Sequence, residues 1–480
     1  MRGIFSRFSF SAARAFSSGA AGLSLAILFL AMNAPSAKAL PSYARQTGQP
    51  CGTCHTDFAG LTPYGRLFKI EGYTAGGGPY RTTLFPSSDD SSASGQKPWV
   101  PPLSMMTVVG FTNTQAPLAP PTAPYNANNN VALGSVNFMW GGAITDHIGA
   151  FAQGSYNAQP AGGFGSDPYG RSWTWDNTDI RYADTARLGG FNIVYGITAN
   201  NNPTVQDPWN TTPAWSFPYV SSPFGSGLGP TPIIDGGFAQ NVVSAGAYAF
   251  INDSLYLETS VYTALNPNAQ ISLGVDPFAS PGLFEAAPYW RVAYEPHWGN
   301  NWLEVGTFGM YAPVHPWTMA GTTTTSTFPQ TDNYTDVGFD SQYQYQGSNY
   351  WITLRGSFIR EFQDLNASFA NGLAANPTNT LNEARAYASL AYGNNNRFVF
   401  TGQYFTSWGT PDAVLYGGSP NTNGWIAEIA YIPFISNFAP GWPWFNARVG
   451  LQYTYYTEFN GITAGATANN TLFLYLWLAM

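Results

Sequence analysis

The sequence contains two cysteines, three residues apart, with a histidine directly after the second: Cys51, Cys54 and His55 in "QPCGTCHTDF", residues 49–58. Two thiols at this spacing can each add to one vinyl group of the same porphyrin. The histidine is then directed under the iron as its proximal ligand, and the thioethers keep the haem from leaving an exposed site. This is the attachment pattern of a c-type haem. Imidazole is a common axial ligand, and the ligand on the other face strongly affects the potential. Three other uses of the pair are weaker. A Cys51–Cys54 disulfide would close a tiny loop and stabilise little. A structural zinc needs about four ligands, and there is no other cysteine or nearby histidine. A thioredoxin-like pair belongs in a βαβ context, which this region lacks. The expected cofactor is one covalent haem c held by Cys51, Cys54 and His55.

The elements that position this motif begin with a leader. Residues 1–39 have the form of a secretory signal peptide: Arg2, Arg7 and Arg14, an apolar stretch from Ala20 to Met32, and the small-x-small pattern Ala37-Lys38-Ala39. The apolar stretch is short of the ~20 residues a spanning helix needs. Export to the compartment where haem is attached agrees with the motif. Without the leader's four basic residues, 14 Lys and Arg face 26 Asp and Glu, a net charge of −12. So acidic and lysine-poor a chain is not expected to bind nucleic acid.

Composition then narrows the fold. Charged residues make up 9% and aromatic residues 16%, against about 25% charged in ordinary soluble domains. Gly, Asn, Thr, Ser and Gln fill the remainder. An exported, aromatic, glycine-rich chain without apolar helices suggests a transmembrane β-barrel. From residue 103 the chain repeats strands of about ten residues. In "FNARVGLQYTYYTEF" (445–459), Phe445, Ala447, Val449, Leu451, Tyr453 and Tyr455 alternate with Asn446, Arg448, Gly450, Gln452, Thr454 and Tyr456. Successive side chains of a strand face opposite sides, so one face suits lipid and the other a lumen. The same period runs through 350–358, 254–262 and the final "TLFLYLWLAM" (471–480). A β-sandwich would also alternate, but its outer face would carry Lys and Glu.

Connections alternate between short turns, such as Thr145-Asp146-His147 and Asn252-Asp253, and long segments near 114–130, 158–172, 200–239, 265–284, 314–332, 361–380, 409–422 and 458–469. The long set is rich in Pro, Gly, Asn and Thr and is expected on the surface. Seven short and eight long connections separate sixteen expected strands, with short turns periplasmic and long loops extracellular. The alternation points Arg181, Arg291, Arg355, Arg385, Arg448, Glu258 and Glu304 into the lumen. They are expected either to line a solvated wall or to hold a plug or haem propionates.

For the second axial ligand the candidates are His147, His297, His315 and the methionines. Met106 shares a face with Ser104 and Gly110 on the first strand, so it is the expected distal ligand. "LTPYGRLFKIEGY" (61–73) has Pro63 at a helix start and Tyr64, Leu67, Phe68 and Ile70 at helical spacing, which predicts a short amphipathic helix. Arg66 and Lys69 on it are expected in solvent or at propionates.

The expected organisation is a signal peptide at 1–39, a small α-helical monohaem cytochrome c segment at 40–85, a linker at 86–102 and an all-β barrel of about sixteen strands at 103–480. A leader, then "YARQTGQPCGTCH", then "LTPYGRLFKIEGY", then a sixteen-strand pattern resembles the outer-membrane fused monohaem cytochrome–porins, best known from bacteria that oxidise ferrous iron outside the cell. The resemblance covers the mature chain. It implies an electron-transfer protein that takes electrons from extracellular Fe(II) and passes them to a periplasmic c-type cytochrome or copper protein, with Cys51 and Cys54 as haem thioethers and His55 as proximal ligand. Physics adds a constraint. The hydrocarbon layer is ~30 Å thick and tunnelling weakens steeply with distance, while about sixty residues make a poor independent core. Both problems are answered by a cytochrome segment that plugs the barrel. The alternative is a solute-uptake porin whose haem segment acts as a gate or redox sensor, and a third reading is a haem enzyme with an open coordination site.

Overall fold

The computed structural model describes residues 41–83, 97–117, 125–156, 173–320, 323–393, 396–435 and 441–480. The expected leader and most of the expected linker lie outside the described residues. Among the described residues, sixteen strands close into one antiparallel barrel. They are β1 (Leu103–Thr114), β2 (Asn130–Ala143), β3 (Ile148–Tyr156), β4 (Trp173–Leu188), β5 (Phe191–Asn200), β6 (Val242–Ile251), β7 (Leu255–Ala264) and β8 (Ala287–Tyr294). The second half comprises β9 (Asn301–Val314), β10 (Asp332–Gln346), β11 (Tyr350–Asp364), β12 (Thr378–Tyr392), β13 (Phe398–Gly409), β14 (Thr422–Tyr431), β15 (Asn446–Glu458) and β16 (Thr471–Ala479). Each strand pairs with its chain neighbours, and β16 pairs with β1 from Ala479↔Met106 to Thr471↔Thr114, which leaves no open sheet edge.

The two-residue period sorts the side chains as the sequence predicts. On β15, Leu451, Tyr453 and Tyr455 are exposed while Asn446, Arg448, Gln452 and Thr454 are buried. The exposed outer face is mainly aliphatic along its middle, Phe339 apart, with aromatic residues concentrated towards the strand ends: Phe191, Tyr294, Tyr392, Phe398 and Tyr431 near the short turns, and Trp173, Trp408 and Trp425 near the long loops. An apolar band between aromatic girdles is the outer surface of a lipid-embedded barrel.

One long connection departs from expectation. The connection read near 200–239 as a surface loop spans residues 201–241 and turns into the barrel, where Val205, Asp207, Trp209 and Ile234 have no exposed surface. The cause lies in the wall. Arg181 pairs with Asp179 at 2.8 Å and donates to the Gln206 carbonyl. Arg291 meets Asp340 and Glu304 from the wall and Asp207 from the loop at 3.3 Å. Arg355 donates to Tyr219 Oη at 2.8 Å, and Arg385 pairs with Asp235 and Glu383. A buried charge needs water or a partner, and the loop supplies the partners. Arg181, Arg291, Arg385, Arg448 and Glu304 therefore form packed ion pairs, and Arg355 and Glu258 form buried hydrogen bonds, instead of lining a solvated wall. The loop also builds apolar core: Ile234 and Phe238 pack with Tyr262, Leu283, Phe308 and Ile359 of the wall region.

The outer face yields a depth-dependent prediction. Phe339, at the middle of β10, is 56% exposed, and Val131, at the long-loop end of β2, is 59% exposed. Phe339→Arg should cost about 2–4 kcal/mol in lipid vesicles and Val131→Arg about 0–1 kcal/mol, read from urea unfolding. Equal costs at the two positions would place the barrel outside a bilayer.

Candidate functional site

Residues 41–83 lie inside the barrel near the short-turn end and form three short helices, α1 (Pro41–Thr47), α2 (Cys51–Cys54) and α3 (Pro63–Ile70). α1 is tied to the start of the barrel: Arg45 donates to the Leu103 carbonyl at 2.6 Å, and Tyr43 Oη donates to the Ala150 carbonyl at 3.0 Å. α3 occupies the middle of the stretch predicted to be helical. Thr62 caps it by accepting from the Gly65 amide at 3.2 Å, and Pro63 takes the first position.

Arg66 and Lys69 on α3 are neither in solvent nor free for propionates. Arg66 pairs with Glu295 at 2.7 Å and donates to Gln344 Oε1 at 2.6 Å. Lys69 Nζ donates to the carbonyls of Val205 and Asp207, both at 2.7 Å, and to Asn210 Oδ1 at 3.4 Å. A helix enclosed by a barrel has no solvated face, so both cations bind the wall or the inserted loop. Burial, reinforced by Arg181, draws the Lys69 ammonium down to about 7.

α2 is a single turn. The His55 amide donates to the Cys51 carbonyl at 2.9 Å, and the Thr62 amide and hydroxyl reach back to the carbonyls of Cys54 and Thr53 at 2.9 and 2.5 Å. Gly65 lets α3 press on this turn, because a Cβ there would stand 2.2 Å from the Cys54 carbonyl oxygen. Cys51 packs beside Trp351, Ala391, Val399, Ala430, Ile432 and Ile435. These residues lie within the first or last few of their strands or in the turn after β14, so the motif sits just inside the short-turn rim.

Cys51, Cys54 and His55 are each half-buried at their own surfaces. Burial pulls the His55 imidazole down to about 4, with the Gly60 backbone opposing, so it is neutral at physiological pH. Burial also pushes the Cys54 thiol up to about 12, Cys51 adding to the shift. The Cys51 thiol is raised too, partly offset by Asn446. The two cysteines are unbonded, and such weakly acidic thiols make poor redox nucleophiles. Among the described residues no three His, Cys, Asp or Glu side chains converge as a metal-binding group, so zinc lacks a ligand set. Three buried polar atoms around the motif have no partner: His55 Nδ1, Asp57 Oδ2 and Trp477 Nε1.

Met106 lies between Asn137 of β2 and Ala479 of β16, on the inward face with buried Ser104 and Val108. Val108 is the register partner of Trp477, whose ring lies tilted 5.8 Å from that of Phe58, and the Phe58 ring lies 5.8 Å from that of His55. The structure thus sets Met106 on the wall beside the motif's aromatic neighbours. His315 pairs with Glu285 at 2.9 Å at the long-loop end. His147 lies against Tyr182 and His297 is exposed, both at short turns. Sequence reading missed Asp57, Phe58, Asn446 and Trp477. Their only signal was position, beside the motif or on the inward face of β15 and β16.

No protein-family model and no curated protein matches the chain. The chain is similar in structure to several solved outer-membrane proteins. OmpT of Vibrio cholerae is 11% identical, with 79% of this chain and 96% of that chain covered at a TM-score of 0.41. A Salmonella typhi OmpF complex with daunomycin is 13% identical over 79% and 97% of the two chains, TM-score 0.43. OprB of Pseudomonas putida is 12% identical over 78% and 93%, TM-score 0.46.

Two predictions follow from the packing. Gly65→Ala should part α3 from the cysteine turn at a cost of about 1–3 kcal/mol, seen as faster tryptic cutting at Arg66 and Lys69. Lys69 gives a pH test. Between about pH 7 and its ordinary 10.5 the released segment holds a proton that the docked segment has lost, so docking strengthens as pH rises through that window. Below pH 7 both states are protonated and the cost of the buried charge is complete. Lys69→Met should flatten the slope, measured as the pH dependence of protease release.

Proposed function

We propose that this chain is an electron conduit of the bacterial outer membrane, with one haem c held by Cys51, Cys54 and His55 inside the barrel's periplasmic mouth. The observation that carries the reading is the cysteine turn itself: two thiols on one helical turn and a neutral imidazole with an unpartnered Nδ1, all enclosed by the barrel. That donor set fits a covalently held porphyrin. The other orphaned atoms nearby, Asp57 Oδ2 and Trp477 Nε1, mark a polar periphery with unused hydrogen-bonding capacity. The haem, when bound, supplies a one-electron iron couple.

The chain's own residues supply attachment, enclosure and access. Cys51 and Cys54 would form the thioethers, and His55, with Met106, would hold the iron. The wall cluster around Trp351 and Val399 excludes water from one side. At the short-turn rim the motif lies close to a periplasmic acceptor, a c-type cytochrome or copper protein. It is far from the long-loop end, across most of a ~30 Å layer. A small reductant such as Fe(II), able to approach the closed lumen at its extracellular mouth, suits that geometry better than a bulky one. Rings recur along the gap: His55, Phe58 and Trp477 pack in turn, and farther along the same face of β16 Tyr475 is stacked on Phe473 at 5.3 Å.

The second reading, an uptake porin with a haem-bearing gate, uses the same barrel but requires the segment 41–83 to leave the lumen. Buried ion pairs and hydrogen bonds from Asp57, Arg66 and Lys69 to the wall and loop argue against easy release.

The test uses the full protein in nanodiscs. Purified chain should carry one covalent haem, lost in Cys51→Ser/Cys54→Ser. Fe(II) added at acidic and near-neutral pH should raise the reduced-haem absorption band. Reduction by dithionite without reduction by Fe(II) would remove iron as the donor. A wild-type chain free of covalent haem would overturn the reading.

A further inference from the structure

The inner face of β15 meets the cysteine turn at two points. Asn446 lies beside the Cys51 thiol. Two residues along the same face, Arg448 pairs with Asp57, two residues beyond His55. Arg448 is fully engaged across the wall, pairing with Glu428 of β14 and donating from Nε to Tyr475 Oη of β16 at 2.8 Å. In the β15–β16 register Arg448 stands opposite Trp477, and Trp477 packs near Phe58, which in turn packs near His55. Two facing wall residues therefore grip the consecutive residues Asp57 and Phe58 just after the proposed ligand. Arg448 is 1% exposed, Asp57 is 1% exposed, and Asp57 Oδ2 has no partner.

We propose that Arg448 is a positioning residue for His55, acting through Asp57, and that the charges of this pair set the reduction potential of the site. The inference rests on the haem reading above. Charges act strongly over short distances in a poorly solvated interior, and groups outside the ligand shell are a recognised control on haem potential. A positive charge near the iron favours its reduced state, and a negative charge favours its oxidised state. Removing the guanidinium leaves Asp57 and Glu428 uncompensated, and removing the Asp57 charge leaves the guanidinium in excess at that point.

The experiment is spectroelectrochemical titration of the full chain in detergent, with tryptic release of residues 41–83 followed in parallel. Arg448→Gln should lower the midpoint potential and Asp57→Asn should raise it. The double variant should fall between them, and Arg448→Lys should return towards the wild-type value. A merely structural role predicts that both single variants shift in the same direction, with faster tryptic release and no rescue by lysine. If Arg448→Gln fails to assemble, the sign of the Asp57→Asn shift decides, and an unchanged or lowered potential there overturns the proposal. Wild-type protein that carries haem while all variants share its potential overturns this inference alone. Wild-type protein without covalent haem overturns the functional reading as well.

Discussion

A charge on the inner wall of a closed barrel is tolerated only with water or a partner, and here partners fill the space. Arg181, Arg291 and Arg448 have at most 1% of their surface exposed. Each is matched by carboxylates, and Arg291 and Arg448 take one of them from a segment that is not part of the wall: Asp207 of the inserted loop and Asp57 of the N-terminal segment. Removing one partner of such a pair costs about 3–5 kcal/mol, because the other charge is stranded. The wall thus requires both segments, and the segments have no other core. The N-terminal helices are too small to bury much by themselves, so the barrel interior acts as their solvent.

This dependence places the chemistry. The cysteine turn is braced from below by α3, whose Gly65 permits backbone contact with Cys54, and from the side by the apolar cluster of Trp351, Val399 and Ile432. It is braced again at Asp57 by Arg448. Meanwhile Lys69 and Asn210 join the N-terminal segment to the inserted loop, through Lys69 to the Val205 carbonyl and Asn210 to the Ala59 carbonyl at 2.7 Å each. Wall, loop and plug are therefore coupled through shared buried groups. The neutral imidazole of His55 and its unpartnered neighbours follow from that enclosure.

Much of this was legible in the sequence because a strand has a fixed period. Alternation on 445–459 assigned inner and outer faces correctly, and it turned Arg181, Arg291, Arg355, Arg385 and Arg448 inward. The helix around Pro63 was legible from the proline at its start and its apolar spacing. Alternation states which way a side chain faces, but it is silent on what it meets. Asp207 and Asp235 lie in a stretch rich in Pro, Gly and Asn that reads as surface, and only the closed barrel reveals that unpaired arginines draw it in. Arg448 and Asp57 stand 391 positions apart, so no local pattern could join them. Arg66 and Lys69 looked amphipathic and solvated, because helical spacing cannot tell a helix on a surface from one inside a barrel.

The most direct test of an interior closed by the loop and plug is the conductance of the full chain in planar bilayers. The account predicts insertion without a stable ohmic current, since residues 41–83 and 201–241 occupy the lumen and are pinned by buried ion pairs. A steady open-pore current of the size typical for sixteen-stranded porins, under conditions that keep the protein folded, would contradict it.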